Sequence, residues 1–176
     1  MPPSPLHLRI RPVGVEAHWC VHALHITGAD GAELATAAAA LSSSPAYDGD
    51  APDAAWGCEQ VVTTRSRGTF FHAATKSVDT SWLQYCLPPG SPAPVEVRLE
   101  EYAGPELAPR TDCRAMRRVV VEARHSEADG EPNWVLLGTG EGQLRGQGTG
   151  DVFGEVVVRI LHPISTWPSQ VVAATW

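Results

Sequence analysis

Val95-Glu-Val-Arg-Leu-Glu100 is the stretch that indicates the fold of this chain most clearly. Its apolar residues alternate strictly with charged residues, and this period of two is typical of a β-strand with one buried face. The turn-forming run Pro88-Pro-Gly90 lies before it. On the other side of that turn, the aromatic-containing stretch Trp82–Leu87 predicts a second strand. The two stretches together predict β-sheet structure in this part of the chain.

Short runs of strand-like character recur along the whole sequence. Besides the two stretches above, strands are predicted at 7–11, 18–26, 61–64, 69–73, 117–124, 134–137 and 155–161. In the run 18–26, strict alternation would place five side chains on one face, namely His18, Cys20, His22, Leu24 and Ile26.

Two segments depart from this pattern. The alanine-rich segment 33–41 favours a helix by local propensity, although it has no apolar stripe. The segment 138–150 carries six glycines and is predicted to be a mobile surface loop. Eight or more short strands without a long helix indicate an all-β sandwich or barrel.

The composition bounds the class of protein. The chain has 176 residues, of which 43% are hydrophobic and 19% are charged, and this is typical of a single globular domain spanning 1–176. Its 15 Pro and 16 Gly favour a fold with many turns. The net charge of −7 argues against a nucleic-acid partner, because phosphate binding needs a basic surface. No apolar run reaches the ~20 residues of a membrane span.

The first residues and the cysteines bear on where the protein works. The stretch Met1-Pro-Pro-Ser-Pro-Leu-His7 has no basic region followed by an apolar run, so we see no secretory signal. We therefore expect an intracellular protein, in the cytoplasm or an organelle, with reduced thiols. The four cysteines form no Cys-x-x-Cys pair, and their even number would alternatively permit two disulfides.

Several motifs occur in an order that is informative as a series. They are Asp30-Gly-Ala-Glu-Leu-Ala35, Ser42-Ser-Ser44, Asp48-Gly49, Trp82-Leu-Gln-Tyr85, Arg118-Val-Val-Val121, Ser126-Glu-Ala-Asp-Gly130 and Trp134. In these motifs the chain resembles the discoidin, or coagulation factor 5/8 type C, group of galactose-binding-like domains. The resemblance covers nearly the whole chain. It implies an all-β, galactose-binding-domain-like jelly-roll β-sandwich, with carbohydrate as the family's usual ligand.

Members of that family often hold a structural calcium ion, and an acidic loop of this chain is where it would bind. Asp48, Asp50 and Asp53 could form such an oxygen site together with backbone carbonyls. However, Ala23 and Gly57 stand where the family pattern has carboxylates. We therefore expect a solvated acidic turn and no cofactor, with calcium as the alternative.

A compact mixture of cations and aromatic rings lies at 65–76. Guanidinium and imidazole groups donate to sugar hydroxyls or carboxylates, and an aromatic face can stack on a sugar. The candidate ligand-binding residues are Arg65, Arg67, Phe71, His72 and Lys76. Alternatively, Phe70 and Phe71 belong to the core and the cations are solvated around them.

Other constellations do not indicate catalysis. His18, Cys20 and His22 are good ligand types for zinc or copper, but alternate strand positions lie in line and a tetrahedral site needs further ligands. A half-buried polar face is therefore the expectation for these three residues. The sequence has no hydrolase Gly-x-Ser-x-Gly, no His-Glu-x-x-His and no phosphate-loop motif. We expect that the protein is not an enzyme.

Two hypotheses for function follow. The first is a non-catalytic binding module that acts as a structural or adaptor subunit and contacts other protein subunits of a larger intracellular assembly. The alternative is a carbohydrate-binding, lectin-like domain, which the family resemblance favours. The absence of a secretory signal and of an N-glycosylation sequon favours the assembly subunit.

Overall fold

A computed structural model describes residues 5–13, 18–46, 57–65, 70–74, 80–102, 118–125, 134–146 and 152–161. These residues are mostly β-structure, so the all-β prediction is confirmed. The strands are β1 (Leu6–Val13), β2 (Cys20–Gly28), β3 (Leu41–Ser43), β4 (Phe71–His72), β5 (Leu83–Leu87), β6 (Pro94–Tyr102), β7 (Arg118–His125), β8 (Val135–Gly146) and β9 (Val152–Arg159). A short helix, α1, spans Gln60–Thr63, and a 3-10 turn spans Ala38–Ala40.

The described strands form one antiparallel sheet that curls into a half-barrel. Their spatial order is β3-β5-β1-β7-β8-β9-β6-β2-β4. The long strand β8 joins the two halves, because its first part pairs with β7 and its last part, from Gly142, pairs with β9. Both halves supply side chains to a single core, which includes Leu8, Ile10, Leu24, Ile26, Tyr85, Leu99, Val121 and Val156. Burial of this shared apolar surface accounts for the curl.

The two ends of the curled sheet are linked by backbone pairing. Beyond the end strands β3 and β4, Ala46 and Ala73 form an antiparallel bridge. The adjacent Ala74 N–H donates to the Pro45 carbonyl at 2.9 Å. The segment that follows β3 thus crosses to the far end of the sheet. It pairs there with backbone groups that an edge strand would otherwise leave open.

The predicted face of β2 is wrong beyond its third residue, because the strand contains a bulge. Val21 pairs with Glu101 of β6, whereas Ala23 pairs with Glu100, so β2 has one extra residue between these two pairs. The bulge reverses the alternation. As a result the core contains Trp19 and Val21 before the bulge but Leu24 and Ile26 after it.

The helix predicted for 33–41 is also wrong. Glu33 forms a bridge with Thr27, and only the 3-10 turn at Ala38–Ala40 precedes β3. The backbone N–H groups of Thr36 and Ala37 both donate to the Tyr85 hydroxyl at 3.1 Å. Side chains from elsewhere in the fold therefore satisfy this backbone, and helix propensity does not decide its conformation.

The glycine-rich segment predicted as a mobile loop starts within β8, a strand that runs through to Gly146. A Cβ atom on Gly140 would lie 2.6 Å from the Val157 carbonyl oxygen, and one on Gly138 would lie 2.8 Å from the Arg159 carbonyl oxygen. The glycines therefore let β8 approach the backbone of β9 where the sheet turns from one half to the other. Residues 147–150 of the predicted loop lie outside the described residues.

The strand predicted at 61–64 is replaced by α1. The Thr64 N–H donates to the Gln60 carbonyl, and the Thr63 hydroxyl donates to the Glu59 carbonyl at 2.9 Å. Val61 and Val62 are buried, so packing overrides the β-propensity of these branched residues. Within the part of the chain that the structure describes, no helix has the length and hydropathy required to cross a membrane.

Candidate functional site

Of the predicted ligand-binding residues, the structure describes Arg65, Phe71 and His72, and these three have different surroundings. Phe71 is completely buried and meets Trp19 edge-on, with ring centroids 6.1 Å apart. Its ring is therefore part of the core and not available to stack on a sugar, in agreement with the alternative weighed from the sequence. Arg67 and Lys76 lie outside the described residues.

Arg65 belongs to a network centred on Glu33. Its backbone adopts a positive φ of 45°, and its Nη2 donates to the Ala35 carbonyl at 2.7 Å. The same nitrogen lies 3.5 Å from the Glu33 carboxylate. Arg65 thus ties the segment after β2 to the end of α1, a structural role that occupies part of its guanidinium group.

The Glu33 carboxylate is the acceptor at the centre of this network. It accepts the backbone N–H groups of Ile26 and Ala35, each at 3.0 Å, and a ring N–H of His25 at 2.8 Å. Burial alone would raise the pKa of Glu33. The hydrogen bonds from Ile26, His25 and Ala35 and the charge of Arg65 outweigh burial, so the pKa of Glu33 is lowered.

His72 lies in a separate cluster of buried rings between β2 and β4. Its ring centroid is 4.9 Å from that of His18 and 6.2 Å from that of Phe70, which in turn contacts His22 at 5.4 Å. The His18 ring N–H donates to the Ala73 carbonyl at 2.8 Å. These histidines therefore pack next to the bridge that links the ends of the sheet.

The described residues hold no group of three or more His, Cys, Asp or Glu side chains suited to a metal ion. The zinc or copper alternative for His18, Cys20 and His22 therefore gains no support from the geometry. The calcium candidates Asp48, Asp50 and Asp53 lie outside the described residues.

The cysteines that the structure describes are free thiols. They are Cys20, which is buried, and Cys58 and Cys86, which are partly buried. Burial, together with the charge of Glu59, raises the pKa of the Cys58 thiol against the opposing effect of a hydrogen bond from Ser43. A raised pKa keeps this thiol protonated and poorly nucleophilic. Cys113 lies outside the described residues.

A surface that the sequence reasoning missed lies on the outer face of β1, β7 and the start of β8. Arg9 of β1 pairs in register with Glu122 of β7. The Glu122 carboxylate accepts hydrogen bonds from Arg9 Nε at 2.8 Å and from Arg11 Nε and Nη2 at 3.0 and 2.9 Å. Burial would raise the pKa of Glu122, but the hydrogen bonds and charges of the two arginines lower it.

Trp134 completes this surface. The guanidinium carbon of Arg9 lies 4.1 Å from the centroid of the Trp134 ring, and that of Arg124 lies 4.7 Å from it. Both distances are within the range of cation–π attraction. Leu136, which pairs with Glu122, is 55% exposed. We call these six residues the Arg–Trp face: Arg9, Arg11, Glu122, Arg124, Trp134 and Leu136.

His7 of β1 lies next to the Arg–Trp face and feels the charge of Arg124. Burial, and then the charge of Arg124, lower the pKa of the neighbouring His7 below its usual value of 6.5. The Gln84 amide lies 3.3 Å from His7 Nδ1, where its N–H can donate to the unprotonated ring nitrogen. This face therefore carries three guanidinium groups and one carboxylate on a chain whose net charge is −7.

The sequence shows charged residues at alternate positions in two of these segments, but it does not show that the two segments pair. Arg9 and Arg11 alternate with core residues on β1, and Glu122 and Arg124 do so on β7. Arg9 and Glu122 are 113 positions apart in the chain. Only the β1–β7 register brings them together.

No known protein family, curated protein or solved structure matches this chain. What the surface can do must therefore follow from its chemistry. Guanidinium groups stacked on an indole ring and next to an exposed leucine provide hydrogen-bond donors, positive charge and apolar area. Surfaces with these properties can bind another molecule.

Proposed function

We propose that the protein is a non-catalytic binding domain that acts as a structural or adaptor subunit and contacts another protein through the Arg–Trp face. The observation that carries this proposal is the position of Trp134 under two guanidinium groups beside the exposed Leu136. Trp and Arg are the residues most enriched among those that dominate the binding energy of protein interfaces. Arg9 and Arg124 lie on strands of the sheet and contact the Trp134 ring, and such fixed contacts reduce the entropy lost on binding.

We also propose that the fold is a galactose-binding-domain-like jelly roll. The strand order supports this assignment, because each strand from β2 to β7 lies in the other half of the sheet from the strand before it. Such alternation produces the long crossing connections that are typical of Greek-key sandwiches. The motif order in the sequence supports the same assignment, although fold alone does not specify function.

Carbohydrate binding is the alternative function, and it has weaker support. A sugar would stack on an open aromatic ring, whereas the Trp134 ring already has Arg9 and Arg124 over it. The fully buried Phe71 offers no platform either. A glycan array with the wild-type protein and the Trp134→Ala variant would separate the two functions, since glycan binding that requires Trp134 would favour the alternative.

The proposal is tested by the state of the protein in its native source. We expect the native chain to purify with a partner protein in a fixed ratio, as measured by native mass spectrometry. Leu136→Ser should weaken this complex, and Val157→Ser is the matched control, because Val157 is 36% exposed on the other half of the sheet. Circular dichroism would verify that both variants fold. Purification of the native chain as a lone monomer would contradict the proposal.

A further inference from the structure

We infer that the Arg–Trp face binds an acidic segment of its partner protein, whose side-chain carboxylates pair with the guanidinium groups of Arg124 and Arg9. This inference rests on the proposed function and deepens it by giving the chemical class of the partner.

The face carries more guanidinium groups than carboxylates. Glu122 is shared between Arg9 and Arg11, so one carboxylate offsets one of the two charges. Arg124 adds a further charge, and within the described part of the chain it is in contact with the Trp134 ring and with no carboxylate. The face thus keeps an excess of positive charge on an otherwise acidic protein, and a complementary partner surface is acidic.

Glu122 shows how a carboxylate is held at this face. Arg11 donates to both of its oxygens through Nε and Nη2, and Arg9 approaches one oxygen through Nε and Nη2, each at 2.8 Å. Paired N–H donors that meet a carboxylate in this way are the strong form of charge-assisted hydrogen bonding. A partner carboxylate would bind by the same chemistry and would compete with Glu122 for Arg9.

Arg124 has the donors that a second carboxylate requires. Its side chain is only partly buried, whereas its Nε is buried and has no hydrogen-bond partner among the described residues, so a partner carboxylate would bind through the Nη groups. The Arg124 Cζ lies 4.7 Å from the centroid of the Trp134 ring, and this contact reduces the side-chain entropy that is lost on binding. The contact with Trp134 therefore limits the positions that the guanidinium group can take before a carboxylate binds.

A peptide fits this face better than a nucleic acid does. The exposed Leu136 provides apolar area for a partner side chain beside the cations. Three arginines on one patch of a chain with a net charge of −7 do not form the extended basic surface that tracks a phosphate backbone. Competition by a DNA duplex is therefore included as an outcome of the test.

The test is a fluorescence-anisotropy titration with the full chain and a labelled short peptide of alternating glutamate and leucine. The comparison peptide has glutamine in place of glutamate. We expect the glutamate peptide to bind with an affinity that falls as the salt concentration is raised. It should bind roughly 10-fold more tightly than the glutamine peptide, because a lost charge-assisted hydrogen bond has about that effect on Kd.

Three variants locate the binding. Arg124→Gln should raise the Kd for the glutamate peptide by roughly 10-fold. Glu122→Gln should lower the Kd for the glutamate peptide, because a competing carboxylate is removed. A simple loss of structure would not increase the affinity. Arg159→Gln is the control for overall charge and should leave Kd unchanged, since Arg159 is an exposed residue of β9 on the other half of the sheet.

The inference would be overturned if the two peptides bound with equal affinity or if Arg124→Gln had no effect on Kd. It would also be overturned if Arg159→Gln weakened binding as much as Arg124→Gln, or if a DNA duplex displaced the glutamate peptide at a lower concentration than the unlabelled peptide does. If the glutamate peptide fails to bind while the native complex still requires Leu136, the inference fails and the proposed function stands. A native chain that is a lone monomer would remove the proposed function itself.

Discussion

The Glu101 carboxyl group is completely buried in β6, and its Oε1 accepts a hydrogen bond from the Trp19 indole N–H at 2.7 Å. A buried polar group is costly unless hydrogen bonds compensate it. Tyr85 has a similar role, because its buried hydroxyl accepts two backbone N–H groups of the segment before β3. Single polar groups inside the curled sheet thus hold neighbouring segments in place.

We expect Trp19→Phe to lower the free energy of unfolding by about 1–3 kcal/mol, because the buried Glu101 carboxyl oxygen loses its hydrogen bond, with a further loss from the smaller ring. Urea denaturation would measure the change. Trp82→Phe is the control, because Trp82 is only partly buried and its interactions with Ser44 are made by its backbone. Equal losses in the two variants would show that the indole–carboxylate pair contributes nothing.

Glu33 should make stability depend on pH in the acid range. Its pKa in the folded protein lies below the ordinary value of 4.5. Its stabilisation is therefore complete above that value and is lost as the pH falls through the folded pKa. Glu33→Gln should lower stability at pH 7 by about 1 kcal/mol or less.

That difference between wild type and Glu33→Gln should shrink as the pH falls below 4.5 and through the folded pKa of Glu33. Urea denaturation at several pH values would follow it, with Glu100→Gln as the control for the loss of a surface charge. A difference that stays constant or grows towards low pH would contradict the assigned role of Glu33.

At the scale of elements, β8 depends on glycine where it crosses β9. Gly140→Ala would place a Cβ atom 2.6 Å from the Val157 carbonyl oxygen and 2.9 Å from Val156 Cγ1. We expect a loss of about 1–3 kcal/mol in the free energy of unfolding, measured by thermal or urea denaturation. The adjacent residue Thr139 is exposed, so the control variant Thr139→Ala should change the free energy of unfolding by no more than about 0.5 kcal/mol. A tolerated Gly140→Ala would mean that the two strands do not approach so closely.

The strands could be predicted where a local pattern determines them. The alternation at 95–100 predicts β6, and similar patterns predict β1, β5, β7 and β9. The patterns fail where distant groups decide the conformation. The Tyr85 hydroxyl and the Glu33 carboxylate hold the alanine-rich segment out of a helix, and the backbone of β9 determines what the glycines of β8 do.

The candidate site was less predictable than the fold. The residues singled out at 65–76 are neighbours in sequence, yet Phe71 packs in the core and Arg65 joins the Glu33 network. The Arg–Trp face combines residues of β1 with residues of β7 and the start of β8, and Arg9 and Glu122 are 113 positions apart in the chain, so no local motif reveals it. The discoidin resemblance stays a prediction.

At the scale of the whole molecule, one curled sheet encloses one core and leaves two outer faces with different chemistry. The half that contains β1 and β7 presents the Arg–Trp face. The other half presents exposed apolar residues, Val95 and Val157, on β6 and β9. The location of a partner can therefore be read from which outer face becomes protected.

Hydroxyl-radical footprinting of the native complex against the isolated chain tests the central claim most directly. Oxidation of individual side chains, measured by mass spectrometry, reports their solvent exposure. The proposal predicts that Leu136 and Trp134 become protected in the complex, whereas Leu161, which is 78% exposed beyond β9, reacts equally in both samples. Unchanged oxidation of Leu136 and Trp134, with protection at Val95 and Val157 instead, would contradict it.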